Sequence, residues 1–416
     1  MAIKEMDVFD IAKRSFDWAK EPKQQRLFGA FFASDVFSSS LICILAIILL
    51  SVAFWDIISK IFVILEQITL IDIDSIVLGV VIALVLTSGV VLVAILMLKW
   101  DKDEEFIGLV KQLTAVNFAV TAISLAGIFT IGYVIISMSI PSIIKEYPGL
   151  EFLLGLSPES FPSVHPAAAV ALIVISLAII ILASLFWEYV RGIFLLGKAL
   201  EYRGKKNEFA KVSFDGYVKY LKLIIVYLFT VLFNWINKKV LAVQIALIVL
   251  CAIMMAIMFA MFAAWSSAGA MAALAFLLLV ALIYTATTIY NSFRMYVIIP
   301  VRILEAKGAK DAVTKAWNHM RGYALAAFIL IIILTITIFA ISLVEGVIDS
   351  VFRVPISKGF LPVVSVPIYV FVILLVSAFT TTVCLFIPMF AMLAFYDKVV
   401  AAEKAEKSKK KTATKD

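Results

Sequence analysis

Long apolar runs alternate with short charged stretches along this chain. Clear runs are Val36–Phe54, Ile76–Leu98, Val116–Ile140, Ala167–Trp187, Gly269–Phe293, Tyr323–Leu343 and Val366–Phe395. Each is long enough to carry a helix across a ~30 Å hydrocarbon core, which takes about 20 residues. The runs are continuously apolar. Strands of a membrane barrel would alternate apolar and polar positions, so the pattern predicts helices. Between Leu221 and Ala264 the pattern is divided: Leu221–Ile236 and Val240–Ala264 flank Asn237-Lys238-Lys239. The first piece is short for a crossing, about 24 Å at 1.5 Å per residue. Either residues 221–236 or part of 240–264 is expected not to cross.

Charge sets the expected orientation. With the N-terminus cytoplasmic, all but six of the 36 Lys and Arg fall on the cytoplasmic side; the six are Lys60, Lys145, Lys238, Lys239, Arg353 and Lys358. Cytoplasmic loops collect Lys and Arg in this way. About eight crossings follow, with both termini inside. The first 26 residues hold eleven charges and no apolar segment, so no cleavable signal sequence is expected.

A charged phrase recurs between the runs. Asp10-Ile-Ala-Lys-Arg-Ser-Phe-Asp17 matches Glu208-Phe-Ala-Lys-Val-Ser-Phe-Asp215, and weaker copies begin at Glu105 and Asp311. The spacings of these acidic starts are 95, 103 and 103 residues, a period that signals repeated structural units. In the copies at Asp10, Glu208 and Asp311 a mainly apolar helical stripe recurs: Ala12, Ser15, Phe16, Ala19; Ala210, Ser213, Phe214, Tyr217; Val313, Ala316, Trp317, Met320. The expectation is an all-α integral membrane protein of about eight transmembrane helices in four hairpin repeats. Each repeat would be preceded by a cytoplasmic interfacial amphipathic helix. The units run roughly 8–103, 104–206, 207–309 and 310–400, forming one polytopic domain (residues 1–400). Residues 401–416 form a basic cytoplasmic tail that is expected to be disordered and drawn to anionic headgroups. External segments are expected at Asp56–Ser75, Pro141–Pro166 and Glu345–Pro367, with tight turns at Gly204 and Gly308.

Composition agrees with that architecture. The chain is 64% hydrophobic and 16% charged, with a mean hydropathy of +1.09. A soluble domain would carry about 25% charged residues. The net charge of +7 is distributed as membrane orientation requires, so no nucleic-acid partner is expected. Cys43, Cys251 and Cys384 lie in apolar runs without metal or disulfide spacing and read as small buried hydrophobes.

The stretch from Arg294 to Tyr323, RMYVIIPVRILEAKGAKDAVTKAWNHMRGY, resembles the signature of the membrane domain attached to some glycerophosphodiester phosphodiesterases and shared by related multi-pass proteins of archaea and bacteria. The match falls on Pro300, Leu304, Glu305, Lys307, Gly308, Ala312 and Trp317; Phe395-Tyr396-Asp397 is similar to the family's closing motif. The family's Ser before Trp is Ala316 here. The resemblance implies a helical membrane module with cytoplasmic termini. It implies no catalysis, because the phosphodiesterase of that family is a separate metal-dependent barrel domain.

Few residues suggest chemistry. His165 and His319 are the only histidines and should lie on opposite sides of the membrane, so they share no metal. Asp35 stands just before the first span, as an intramembrane ligand or as a cap near the headgroups. Arg191 and Arg294 end equivalent spans and are candidates for lipid-phosphate binding, for anchoring, or for pairing with Glu201 and Glu305. Asn117, Asn234 and Asn291 are too far apart in sequence to define a site and read as interhelical hydrogen-bond partners, with Asn117 and Asn291 also candidate intramembrane polar residues. No phosphate loop, zinc spacing, catalytic triad or dinucleotide fingerprint is present, so no cofactor and no metal are expected. The expected role is a non-enzymatic scaffold or a partner- or lipid-binding module in the cytoplasmic membrane. Membrane lipids, and other membrane or cytoplasmic proteins, would be its partners. The alternative is a transporter or lipid-handling protein with a cavity between the hairpin repeats.

Overall fold

Apolar runs without internal charges must satisfy their backbone groups within the segment, and an α-helix does so. The structure, a computed structural model, describes residues 6–53, 73–97, 102–146, 165–263, 267–357 and 365–413. Among these residues the elements are helical, with no strand. Nine of the helices are long and apolar enough to cross a membrane. Many apolar side chains point outward, among them Leu78, Val85, Ile175, Ile181, Phe259 and Leu282. Such surfaces suit lipid and not water. The protein is a multi-pass membrane protein. The chain divides into two compact units.

One unit comprises Pro22–Glu188 and Ile338–Leu385. It holds α2 (Pro22–Ala53), α3 (Ile73–Met97), α4 (Glu104–Glu146) and most of α5 (Pro166–Tyr189). Pro22 opens α2 at its first position, where a missing N–H costs nothing. Asp103 caps α4, accepting from the N–H groups of Glu105 and Phe106 at 3.1 and 3.2 Å, while its other oxygen pairs with Arg26 of α2. Helix α2 packs on α3 and α4. Helices α4 and α5 touch at Gly127: a Cβ there would sit 2.8 Å from Ile180, so the small residue permits the close approach.

The other unit comprises Met1–Glu21, Tyr189–Thr337 and Phe386–Asp416. It starts with α1 (Val8–Arg14). After α5 comes a π-helical turn, Val190–Phe194, then α6 (Leu195–Tyr202). Next come α7 (Phe214–Phe233), α8 (Lys238–Ala263), α9 (Ser267–Phe293), α10 (Ile298–Leu304) and α11 (Ala309–His319). The last helices are α12 (Ala324–Ser357) and α13 (Ser365–Ala413), which the boundary between the units divides. Helices α8 and α9 form a hairpin, and α7 packs against both and against α11.

Several expectations change. The recurring phrase is a separate helix at α1 and α11, but at Glu105 it merely begins the long α4. At Glu208–Val212 it is a non-helical connector. There Asn207 folds back, donating to the Gly197 carbonyl and accepting from Phe209 N–H, and Ser213 in extended conformation caps α7 by accepting from Gly216 N–H at 3.0 Å. The α11 stripe is buried as expected at Val313, Ala316, Trp317 and Met320, whereas α1 and the turn after it bury Val8, Ile11, Ser15 and Trp18 and expose Phe16. The buried stripe there is displaced by one position from the expected Ala12, Phe16 and Ala19, because the larger apolar side chains Ile11 and Trp18 take the inner face. Gly204 has φ +82, the left-handed conformation expected of a turn glycine, but Gly308 is an extended helix cap. The tail, expected to be disordered, continues α13 through Ala413; Ala, Glu and Lys are strong helix formers. Cys43 is exposed, not buried. The external segments Asp56–Ser75 and Pro141–Pro166 lie largely outside the described residues, and Glu345–Pro367 is helical as far as Ser357.

Candidate functional site

Where α10 stops, the carboxylate of its capping residue Glu305 gathers three elements. Its Oε2 lies 3.0 Å from His319 Nε2 at the end of α11, and Oε1 accepts from the Tyr396 hydroxyl on α13. His319 Nδ1 meets Glu403 of α13 at 2.9 Å. Lys315, one helical turn before His319, donates to the Glu305 carbonyl at 2.8 Å and pairs with Asp311 at 3.0 Å. Asp311, Lys315 and His319 share a face of α11 because they are spaced four apart. Burial pulls the His319 pKa down, but its bonds to Glu305 and Glu403 outweigh that and hold it above the ordinary histidine value. Burial likewise pushes Glu305 up, and the Tyr396 and His319 bonds overcome it, leaving its carboxyl below the usual range.

The arginines sit beside this cluster. Arg294 is 3% exposed, with its guanidinium 4.1 Å over the Trp317 ring, and donates to the Trp317 carbonyl at 2.6 Å and the Tyr290 hydroxyl at 3.2 Å. It therefore anchors α9 to α11 and presents no face to lipid phosphate. Its expected partner Glu305 is taken by His319 and Tyr396, and Glu201 pairs instead with Lys198 at 2.7 Å. Arg191 is half-buried within the π-helical turn. By the 103-residue spacing, Val190–Phe194 corresponds to Phe293–Val297, where the helix also breaks into turns before α10. Sequence reasoning missed Arg302. It is buried on α10, pairs with Glu208 at 2.9 Å and covers the Phe209 ring at 4.8 Å. Glu208 also holds Lys219 at 2.7 Å. The available signal was Glu208, the acidic start of that copy of the phrase, which no helix follows directly. Nearby, Lys398 of α13 pairs with Asp10 at 2.8 Å, and Arg203 pairs with Glu21 at 2.9 Å.

The candidate polar residues Asp35, Asn117, Asn234 and Asn291 meet in two groups, one in each unit. Asn117 of α4 donates to Asp35 Oδ1 at 3.0 Å and to the Ser38 hydroxyl at 2.6 Å, both on α2, and Thr382 approaches Asp35 at 3.5 Å. In the other unit Asn234 donates to Asn291 Oδ1 at 2.8 Å, and Asn291 donates to the Val231 carbonyl at 2.9 Å. The three asparagines are thus interhelical partners; no site joins all of them. Asn234 ends α7 with φ 34, a left-handed cap for which Asn is suited. Both ends of α7 are fastened to helix C-termini: its start to Tyr189, whose hydroxyl accepts from Ser213 N–H at 3.4 Å and donates to the Lys211 carbonyl, and its end to Asn291 near the close of α9.

Two cavities accompany these clusters. One, of about 490 Å³, lies between α2, α3 and α4 and is lined by Phe37, Leu41, Leu92, Ile95, Phe118 and other largely apolar residues, with Lys111 and Thr114 as its polar members. The other, of about 550 Å³, lies beside Tyr396 on α13. No group of three or more His, Cys, Asp or Glu side chains placed to hold a metal occurs among the described residues. His165 Nδ1 accepts from the Ala167 N–H at 3.3 Å, capping α5. No family model, curated protein or solved structure matches the chain.

Proposed function

We propose that the protein is a non-enzymatic lipid-binding scaffold of the cytoplasmic membrane, with both termini inside. The apolar cavity between α2, α3 and α4 carries this reading: its volume falls in the range of ligand sites, and its lining suits an acyl chain and not a polar solute. The intramembrane polar residues support it too. Asp35, Ser38 and Asn117 satisfy one another across two helices, as structural clasps do. Four hairpin repeats are the proposed plan, supported by the matching helix breaks near Arg191 and Arg294. Eight crossings are proposed, with α7 lying along the cytoplasmic interface, so that Lys238 and Lys239 join the cytoplasmic side and only Lys60, Lys145, Arg353 and Lys358 remain outside. The apolar part of α7, Leu223–Phe233, is about 16 Å long, half a hydrocarbon core, and both ends of the helix are tied to helix ends assigned to the cytoplasmic side. The resemblance to the phosphodiesterase-linked membrane domain is part of the proposal: Glu305 and Tyr396, from its two matching stretches, bond to each other.

The test is purification of the full chain in mild detergent, followed by native mass spectrometry. Retention of lipid that is lost on Leu41→Trp, which fills the cavity, is the expected result. A lipid-free protein, or lipid retention indifferent to that substitution, would sink the reading.

A further inference from the structure

We propose that the cleft between the Gly204 turn, the end of α10 and one face of α13 binds a phosphate group carrying an apolar substituent. The cleft has a volume of about 550 Å³. Three ammonium groups border it: Lys205 and Lys206 from the turn, and Lys404 from α13. Asp397 is the one carboxylate of the lining, so the cleft carries an excess of positive charge. Among the described residues none of the three lysines has an ion-pair partner. Lys198, Lys219, Lys315 and Lys398 of the same unit are each matched with a carboxylate. The cationic charge of the cleft therefore exceeds that of its one carboxylate, in a cleft whose volume lies within the range of ligand pockets.

The turn presenting two of the lysines is held in place. Gly204 takes φ +82, and the N–H groups of Gly204 and Lys205 bond back to the carbonyls of Glu201 and Leu200 at 2.8 and 2.9 Å. The Asn207 amide ties the far side, donating to the carbonyls of Gly197 and Lys205. The third lysine rides on a helix. Little backbone freedom is therefore lost when an anion arrives, which is the condition for affinity from few contacts. Ile303, Leu304, Val400 and Ala401 give the cleft an apolar wall. Lysine acts on phosphate as a point charge, and that attraction strengthens beside a low-dielectric wall. The same wall would cover the substituent. Such a group comes either from a membrane lipid or from a soluble phosphate compound, and both satisfy the chemistry.

The cleft lies in a different unit from the apolar cavity, so its failure would leave the proposed function standing. The experiment uses the full chain in neutral detergent, titrated calorimetrically with dihexanoyl phosphatidic acid, then with inorganic phosphate, then with the lipid in saturating phosphate. Binding of one lipid per chain is expected. The triple variant K205Q/K206Q/K404Q should weaken it by about tenfold or more, since it removes all three positive charges of the lining. The control K13Q/K211Q/K310Q removes equal charge away from the cleft and should change affinity less than about twofold. Competition by inorganic phosphate identifies free anion as the recognised species; lipid binding without competition identifies the headgroup. No binding by the unaltered chain, or equal losses in both variants, overturns the proposal. Matching thermal melts confirm that both variants fold, and Lys404→Gln alone serves if the triple does not.

Discussion

The side-chain amide of Asn117 donates to the carboxylate of Asp35 at 3.0 Å, joining α4 to α2 across 82 residues of sequence. Asp35 is 8% exposed, so this bond stands in for water that the carboxylate has lost. Replacing Asn117 with Leu leaves the carboxylate short of a donor, at an expected cost of about 1–3 kcal/mol. Asp35→Asn keeps an acceptor and should cost less. Thermal unfolding in detergent decides: an N117L protein that melts with the unaltered one would show that the clasp contributes nothing.

His319 predicts a pH dependence. Its folded pKa is raised, so the stability it contributes is fully present below the ordinary histidine value near 6.5 and is lost as pH rises through the folded value. Glu305 acts oppositely: its pKa is depressed, so its contribution is present above about 4.3 and lost as pH falls through the folded value. Melting temperature should therefore fall as pH is raised from about 6 to 9, and His319→Gln should flatten that slope. An unchanged slope in H319Q would assign the titration to another group.

Asn234 separates backbone from side-chain effects. Both Asn234→Gly and Asn234→Ala lose the bond to Asn291, but only alanine also strains the left-handed backbone at φ 34. Alanine should be the more destabilising by about 1–2 kcal/mol. Equal melting curves for the two variants would mean that α7 ends differently from this cap.

Topology is open to labelling. Cysteines placed at positions 211, 238 and 309 should all resist a membrane-impermeant maleimide on intact cells and react after permeabilisation. Labelling at 238 alone would show that α7 crosses. Labelling at 211 or 309 would overturn the orientation and remove the basis for cytoplasmic interfacial helices.

The sequence displayed what depends on local pattern. Continuous runs of apolar residues become helices, because a backbone in lipid must pair its polar groups within the segment unless it joins a closed barrel, whose strands would alternate. The α11 stripe was legible because four well-spaced side chains, Val313 to Met320, all face one way. The third phrase misled because Asn207 and Ser213 hydrogen-bond to backbone groups and hold Glu208–Val212 out of the helix that its apolar spacing suggested.

By itself the sequence determined the class of protein and the positions of its apolar helices, which follow from the transfer of side chains between water and lipid. Only the tertiary structure decided which polar groups meet: Asp35 with Asn117, Asn234 with Asn291, Glu305 with His319 and Tyr396. Those pairings depend on how helices are rotated and packed against one another. Hydrogen bonds form or fail over a few tenths of an ångström, a distance that no linear spacing of residues encodes.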